Sequence, residues 1–462
     1  MQKGLLTFLI FGIIMQNALA QNDADVLFLK SIHNQSLTES KCYGWLERLC
    51  KEAGPRLAGS EAYDVAVSVG QDILKEAGAV NISLQPCEVK VWKRGVKEVA
   101  YYIDEAGEKQ YLHVLSLGNT IGTGLAGITG KVIEVQSLAE VDNMADASLE
   151  GKIVFFNRPM DATQLRTFNA YGGAVDQRGS GLYSAAKKGA VAVLVRSMAL
   201  ANDDFPHTGS IQSIEGAKQV PAMAISTNDA NKISALLKEQ KELSIFMRNT
   251  CHFEGTKSNY SVIGEIKGSE FPNEVIVVGG HLDSWDVGEG AHDDGAGCVH
   301  AAQVLQTLNA LNYKPKRTIR CVMFANEENG LAGGRAYAAA TTGKSEKHIA
   351  ALESDSGGFV PRDFSFDADT SVFKSYLKKV NTWLPLFESY GLQYKTEGSG
   401  ADISPLKPQK TLLIGLRPDS QRYFDHHHTT NDLFSTVHKR ELELGAAAMT
   451  SLVYMIDKYG LQ

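Results

Sequence analysis

The sequence predicts an α/β protein: a mixed sheet with helices on both faces, interrupted by a smaller inserted module. Three observations predict it. From residue 257 onward, apolar strand patterns alternate with helical ones, which implies a helix-covered sheet. Between about 116 and 250 the texture changes to glycine-rich turns and short strands. Polar clusters recur directly after the apolar strands, at the strand ends where such sheets gather ligands.

The first twenty residues stand apart. Lys3, an apolar run over residues 4–15, and Ala18-Leu19-Ala20 have the charge, length and small-x-small ending of a cleaved secretory signal. The run is too short to cross a bilayer, and no later stretch is apolar enough to do so. The mature chain is expected to begin near Gln21 and to act in a periplasm or outside the cell.

Residues 38–53 read as an amphipathic helix with Trp45, Leu46, Leu49 and Cys50 on one face. The run Gly54-Pro55-Arg56-Leu57-Ala58-Gly59-Ser60 breaks it. Helical spacing resumes over 61–77, and strand-like segments follow near 82–92 and 98–103. Short strands at 131–135, 152–156, 191–195 and 222–225, with helices at 182–188 and 229–238, make up the module. The main domain is thus read as 21–115 plus 251–462, and the insert as 116–250. The alternative is one large continuous sheet. Beyond the insert, strands are expected at 274–279, 318–325, 348–353 and 410–416, with a helix at 296–311.

The formal net charge of −7 leaves no basic surplus for nucleic acid. The six cysteines include no Cys-x-x-Cys pair, so thiolate zinc and thioredoxin chemistry are unsupported. Cys42 and Cys50 would lie ~12 Å apart on a helix, beyond disulfide reach.

Five clusters carry the chemistry. After the strand ending at Val278 comes Gly280-His281-Leu282-Asp283. His281 can give a ring nitrogen to a metal, and Asp283 is placed to accept the other ring N–H. Next is His292-Asp293-Asp294-Gly295, readable as a helix N-cap or as a carboxylate bridging two metals. Third is Ala325-Asn326-Glu327-Glu328. Two glutamates at the end of a buried strand are costly unless a cation is near, and their adjacent side chains point differently, one to a metal and one to the reaction space. The fourth is Glu353-Ser354-Asp355, and the fifth is Asp425-His426-His427-His428. Singly, each reads equally well as a cap, a turn or a solvated loop. Together they offer nitrogen and oxygen ligands with no thiolate, which suits catalytic zinc with open water positions.

In this order the residues resemble the metal signature of the M28 zinc peptidases: His281, Asp293, Glu327–Glu328, Asp355 and His428-Thr429-x-x-Asp432. The resemblance runs over most of the mature chain. It implies a zinc-exopeptidase fold with a protease-associated-like insert and two Zn²⁺. Asp293 would bridge the ions, His281 and Asp355 would complete one site, and Glu328 and His428 the other. Glu327 would be the general base, Asp283 and Asp432 would support the ligands, and the Asp293–Asp294 peptide would be cis. Where many relatives carry Ser-Asp-His, this chain has Gly400-Ala401-Asp402-Ile403.

A short peptide is the expected substrate, and a homodimer is left open. A roofed site favours dipeptides or single N-terminal residues with a free amine. The amine is expected at spare carboxylates such as Asp402 or Asp294, and a free carboxylate at Arg417 or Arg422. The rival readings are a serine hydrolase, which lacks a Gly-x-Ser-x-Gly elbow, a catalytically modified binding ectodomain, and a glutaminyl cyclase-like enzyme on the same fold.

Overall fold

A computed structural model describes residues 23–240 and 242–461; the expected signal segment lies outside them. Residues 23–38 form a helix that the sequence reading did not anticipate. The helix Cys42–Glu52 follows, burying Trp45, Leu46, Leu49 and Cys50. Its successor, Glu61–Glu76, starts where the Ser60 side chain accepts the Tyr63 N–H, a local N-cap.

The chain enters the main sheet with β1 (Val80–Lys93). It then builds a second sheet from β2 (Val99–Ile103), β3 (Lys109–Leu112), β4 (Val114–Ser116), β5 (Ile128–Val135), β6 (Ile153–Phe156), β7 (Ala192–Arg196), β8 (Ala222–Ile225) and β9 (Ser244–Arg248). It returns to the main sheet for β10 (His252–Ile266), β11 (Phe271–His281), β12 (Arg317–Phe324), β13 (Lys347–Ser354), β14 (Pro361–Asp367), β15 (Gln393–Lys395) and β16 (Leu412–Pro418). The main sheet runs β1-β10-β12-β11-β13-β16-β14-β15. The second runs β3-β2-β9-β5-β6-β7-β8-β4.

The second sheet therefore begins at Val99, ahead of the boundary at 116 read from the sequence. The pattern at 98–103 is indeed a strand, but its partner is β9, at the far end of the module. Local periodicity reveals a strand and not the distant strand that pairs with it.

At the centre of the main sheet, β12, β11, β13 and β16 are parallel. Buried on both faces, they are almost continuously apolar, as Val275–Val278 illustrates. The helix Ala296–Ala310 is buried nearly all round, between this sheet and the C-terminal helix Lys439–Tyr459. All six cysteines are buried, and Cys42 and Cys50 lie on the single helix Cys42–Glu52. Among the described residues, no helix is long and apolar enough to cross a membrane.

Candidate active site

Because the central strands are parallel, their carboxyl ends meet at one edge, and the chemistry collects there. His281 is the last residue of β11, Glu327 and Glu328 lie just beyond β12, and Asp355 follows β13. Asp293 sits in the irregular turn Ala291–Gly295 that leads into the buried helix, and the Asp293–Asp294 peptide is cis. Asn326 and His428 both hold left-handed backbone, φ 64° and 63°. For residues other than glycine this conformation is strained, and such strain collects at functional sites.

The two oxygens of Asp293 point to two separate groups. Oδ1 lies 3.3 Å from His281 Nε2, which is also 3.6 Å from Asp355 Oδ1. Oδ2 lies 3.3 Å from His428 Nε2, which is also 3.2 Å from Glu328 Oε2. Glu327 stands further back, with Oε2 4.0 Å from His281 Nε2. Its side chain is 21% exposed against 2% for Glu328, so Glu327 is the more open of the two to the cavity.

These residues fit a cation pair. His281 Nδ1 is 2.9 Å from the Asp283 carbonyl oxygen, and His428 Nδ1 is 3.3 Å from that of Thr208. A carbonyl oxygen only accepts, so both Nδ1 atoms carry a proton and both Nε2 atoms turn toward the carboxylates, where a neutral ring presents a lone pair. Those lone pairs face carboxylate oxygens, which is repulsive unless a positive charge intervenes. Asp293 Oδ2 and Glu328 Oε1 are buried and lack any hydrogen-bond partner.

The electrostatics agree. Burial, joined by the charge of Asp355, raises Asp293 against the opposing pull of His281. Burial and Asp293 raise Glu328 far above the usual carboxylate range. Burial, with Asp355, Asp283 and Asp293, pushes Glu327 up to about 8 despite His281. Burial alone would lower His281, but Asp293 and Asp355 outweigh it and hold the ring well above its ordinary value. Acids that raise one another while drawing a positive charge toward their centre are relieved by bound cations.

The neighbouring His427 competes for the same place, with Nε2 3.8 Å from Asp293 Oδ2. Its buried Nδ1 has no partner. His428 is better oriented, because a carbonyl holds its second nitrogen.

Asp283 does not work as expected. Its main-chain oxygen, not its carboxylate, orients His281; the nearer carboxylate oxygen is 3.8 Å away. The buried carboxylate instead accepts the N–H groups of Glu327 (3.0 Å) and Glu328 (3.3 Å), fixing both glutamates. The strand crossing of the sheet brings β12's end loop beside it, and this decides the role. Asp432 accepts the N–H groups of His292 (2.7 Å) and Asp293 (3.1 Å) and braces the turn.

The expected substrate groups fare worse. Asp294 is fully buried and accepts the N–H groups of His281 and Gly297, so it is not spare. Asp402 is buried beside Glu353, off the cavity wall, with neither oxygen partnered. Arg417 is committed to Ser365 Oγ and the carbonyls of Gly398 and Ser399, and it lines a neighbouring cavity with Ser356. Arg422 pairs with Glu441 at the surface (2.8 Å). Nearness to the histidine run in sequence says nothing about where a side chain points.

The cavity over the site measures about 380 Å³. Asp293, Glu327, Glu328, Asp355 and His428 line it. Phe168, Tyr171, Arg178 and Ser210, from the unit carrying the second sheet, line it as well. Sequence reading missed these four, since no local pattern marks them.

It also missed Arg56, although the run containing it stood out. This fully buried guanidinium donates to the carbonyls of Leu282 (2.6 Å), Glu289 (2.6 Å), Gly290 (2.9 Å) and Gly54 (3.3 Å). It thereby ties down the loop between His281 and Asp293. Arg56→Met leaves these carbonyls without donors, at ~1–3 kcal/mol for each one that stays buried. The expected loss is about 3 kcal/mol or more in urea unfolding, with weaker metal retention; a change below about 1 kcal/mol would discard the clamp.

A cluster of carboxylates and imidazoles at the carboxyl edge of such a sheet defines a metal-dependent hydrolase. Residues 261–453 match Peptidase family M28. Carboxypeptidase Q of Bos taurus is 31% identical over 431 residues, covering 92% of this chain and 88% of the relative. A Peptidase M28 precursor from Shewanella amazonensis SB2B superposes with a TM-score of 0.89 at 33% identity, covering 95% of this chain and 98% of the other. An aminopeptidase from Aneurinibacillus sp. strain AM-1 shares the fold, with a TM-score of 0.62 at 20% identity and coverage of 92% and 95%. The chain belongs to peptidase family M28 and is a metallopeptidase.

Proposed function

We propose that the chain is an exported dinuclear zinc exopeptidase that hydrolyses dipeptides or removes the N-terminal residue of short peptides. The observation that carries this reading is Asp293, whose two oxygens serve two separate ligand groups. His281, Asp355 and Asp293 Oδ1 would hold one ion, and Glu328, His428 and Asp293 Oδ2 the other. Nitrogen and oxygen donors without thiolate suit catalytic zinc. Two such ions would supply Lewis-acid activation of water and of the scissile carbonyl.

The chain's own residues do the rest. Glu327 faces the cavity, takes the proton of the attacking water on its carboxylate, and returns it to the leaving amine. Asp283 keeps Glu327 and Glu328 apart and aimed by holding both N–H groups. The unit from 99 to 250, which we read as a protease-associated-like insert, roofs the site with Phe168, Tyr171 and Ser210 and limits it to short substrates. We read the substrate as carrying a free amine because the cavity takes only short chains; the carboxylates that line it are the proposed ligands and Glu327, and Asp294 is not free to bind the amine. Export rests on the pattern of residues 1–20.

Metal analysis of the active enzyme should give about two zinc ions per chain, and chelation should abolish activity reversibly. N-acetylation of a good dipeptide substrate should remove most turnover. Well under one ion per chain in an active preparation sinks the metal assignment. Efficient mid-chain cutting of N-blocked peptides sinks the exopeptidase assignment.

A further inference from the structure

We propose that Arg178 receives the free C-terminal carboxylate of the substrate. The proposal rests on the exopeptidase reading above and deepens it.

Arg178 lies on the helix Asp176–Lys187, in the unit that carries the second sheet, and lines the same cavity as Glu327 and Asp355. It is only 8% exposed. A buried guanidinium needs acceptors for five N–H bonds, and Arg56 and Arg94 show how this protein can provide them. Arg56 has its carbonyl oxygens, and Arg94 has Asp286 at 2.5 Å and Glu98 at 3.0 Å.

Arg178 has far less. Nη2 donates to the Tyr171 hydroxyl at 2.6 Å. Nε has no partner, and no carboxylate lies within ion-pair distance among the described residues. Nη1 is 3.4 Å from His428 Nδ1, but that nitrogen faces the Thr208 carbonyl and bears a proton, so it cannot accept. A desolvated, unpaired cation is costly unless an anion joins it. Arg178 is the one guanidinium or ammonium group among the residues lining a cavity rich in carboxylates.

Position selects the anion. Arg178 Nη1 stands against the ring of His428, whose other nitrogen faces Asp293 and Glu328 at the hydrolytic centre. Gly209 makes this approach possible: a Cβ there would fall 2.5 Å from Nη1, and its φ is +128°. A residue spans at most ~3.3–3.6 Å. A carboxylate held beside His428 therefore belongs to the residue just after the bond being cut. Guanidinium suits a carboxylate, which it meets with forked N–H bonds, and Arg178 is among the residues that line the cavity.

The test compares an unblocked dipeptide with its C-terminal amide on the zinc-loaded, full-length enzyme. The wild type should favour the free acid by roughly 10- to 100-fold in kcat/KM, mainly through KM. In Arg178→Gln that ratio should collapse toward one with zinc content retained, and Arg178→Lys should restore part of it. A wild type indifferent to the amide overturns the proposal. So does an Arg178→Gln that loses both substrates equally, the signature of a brace for His428. The ratio reads the C-terminus alone, while N-acetylation reads the exopeptidase assignment, so the two failures are separable.

Discussion

Glu327→Gln should leave a folded enzyme with its full complement of metal and a kcat lowered by roughly 10²- to 10⁴-fold. The amide keeps the shape and the cavity-facing position but cannot take a proton. KM should change little, because the loss falls on a transition-state interaction. The neighbouring substitution is the control. Glu328 is 2% exposed, with Oε2 3.2 Å from His428 Nε2, so Glu328→Gln should lose metal as well as rate. One main-chain step separates the two glutamates, and Asp283 holds both of their N–H groups. If Glu327→Gln turns over normally, or sheds its metal as Glu328→Gln does, the division of labour is wrong.

Asp293→Asn should have the largest effect on metal binding, because its two oxygens serve both ligand groups. Zinc content and activity should fall together, activity to background. Thermal unfolding gives a second, opposite-signed readout. With chelator present, the variant should melt above the wild type, since a buried carboxylate raised by desolvation and by Asp355 has been neutralised. With saturating zinc the order should reverse, because a ligand at 100 times its Kd stabilises by about 2.7 kcal/mol. A variant that melts lower under both conditions would show Asp293 to be a packing residue and no bridge.

The legible part of this protein was the part written locally. An apolar run followed by a polar cluster can be seen in a single sequence, and the strand-end groups at His281, Glu327–Glu328 and Asp355 were visible for that reason. Asp293, in a glycine-flanked turn, and His428, in a loop, needed the family resemblance as well. Interactions that only folding creates stayed hidden. The helix at 23–38 went unread, and β2 was assigned to the wrong sheet because β9, its partner, is remote. Asp283 was correctly placed near His281, but only the packed loop shows that its carbonyl and not its carboxylate holds the ring. Arg417 and Arg422 attracted attention by standing near the histidines in sequence, while Arg178, 250 residues before His428, stands against its ring.

The contact between Thr208 and His428 runs both ways. The Thr208 N–H donates to the His428 carbonyl at 3.0 Å, and the Thr208 carbonyl sits 3.3 Å from His428 Nδ1. Gly209 beside it tolerates no side chain. The roof is therefore wired into the floor at one residue of the hydrolytic centre. A chimera that exchanged the unit from 99 to 250 for a relative's would replace the atom that fixes His428's tautomer. To keep that imidazole aimed, the stretch 207–210 and the turn 426–429 have to be transplanted as a matched pair.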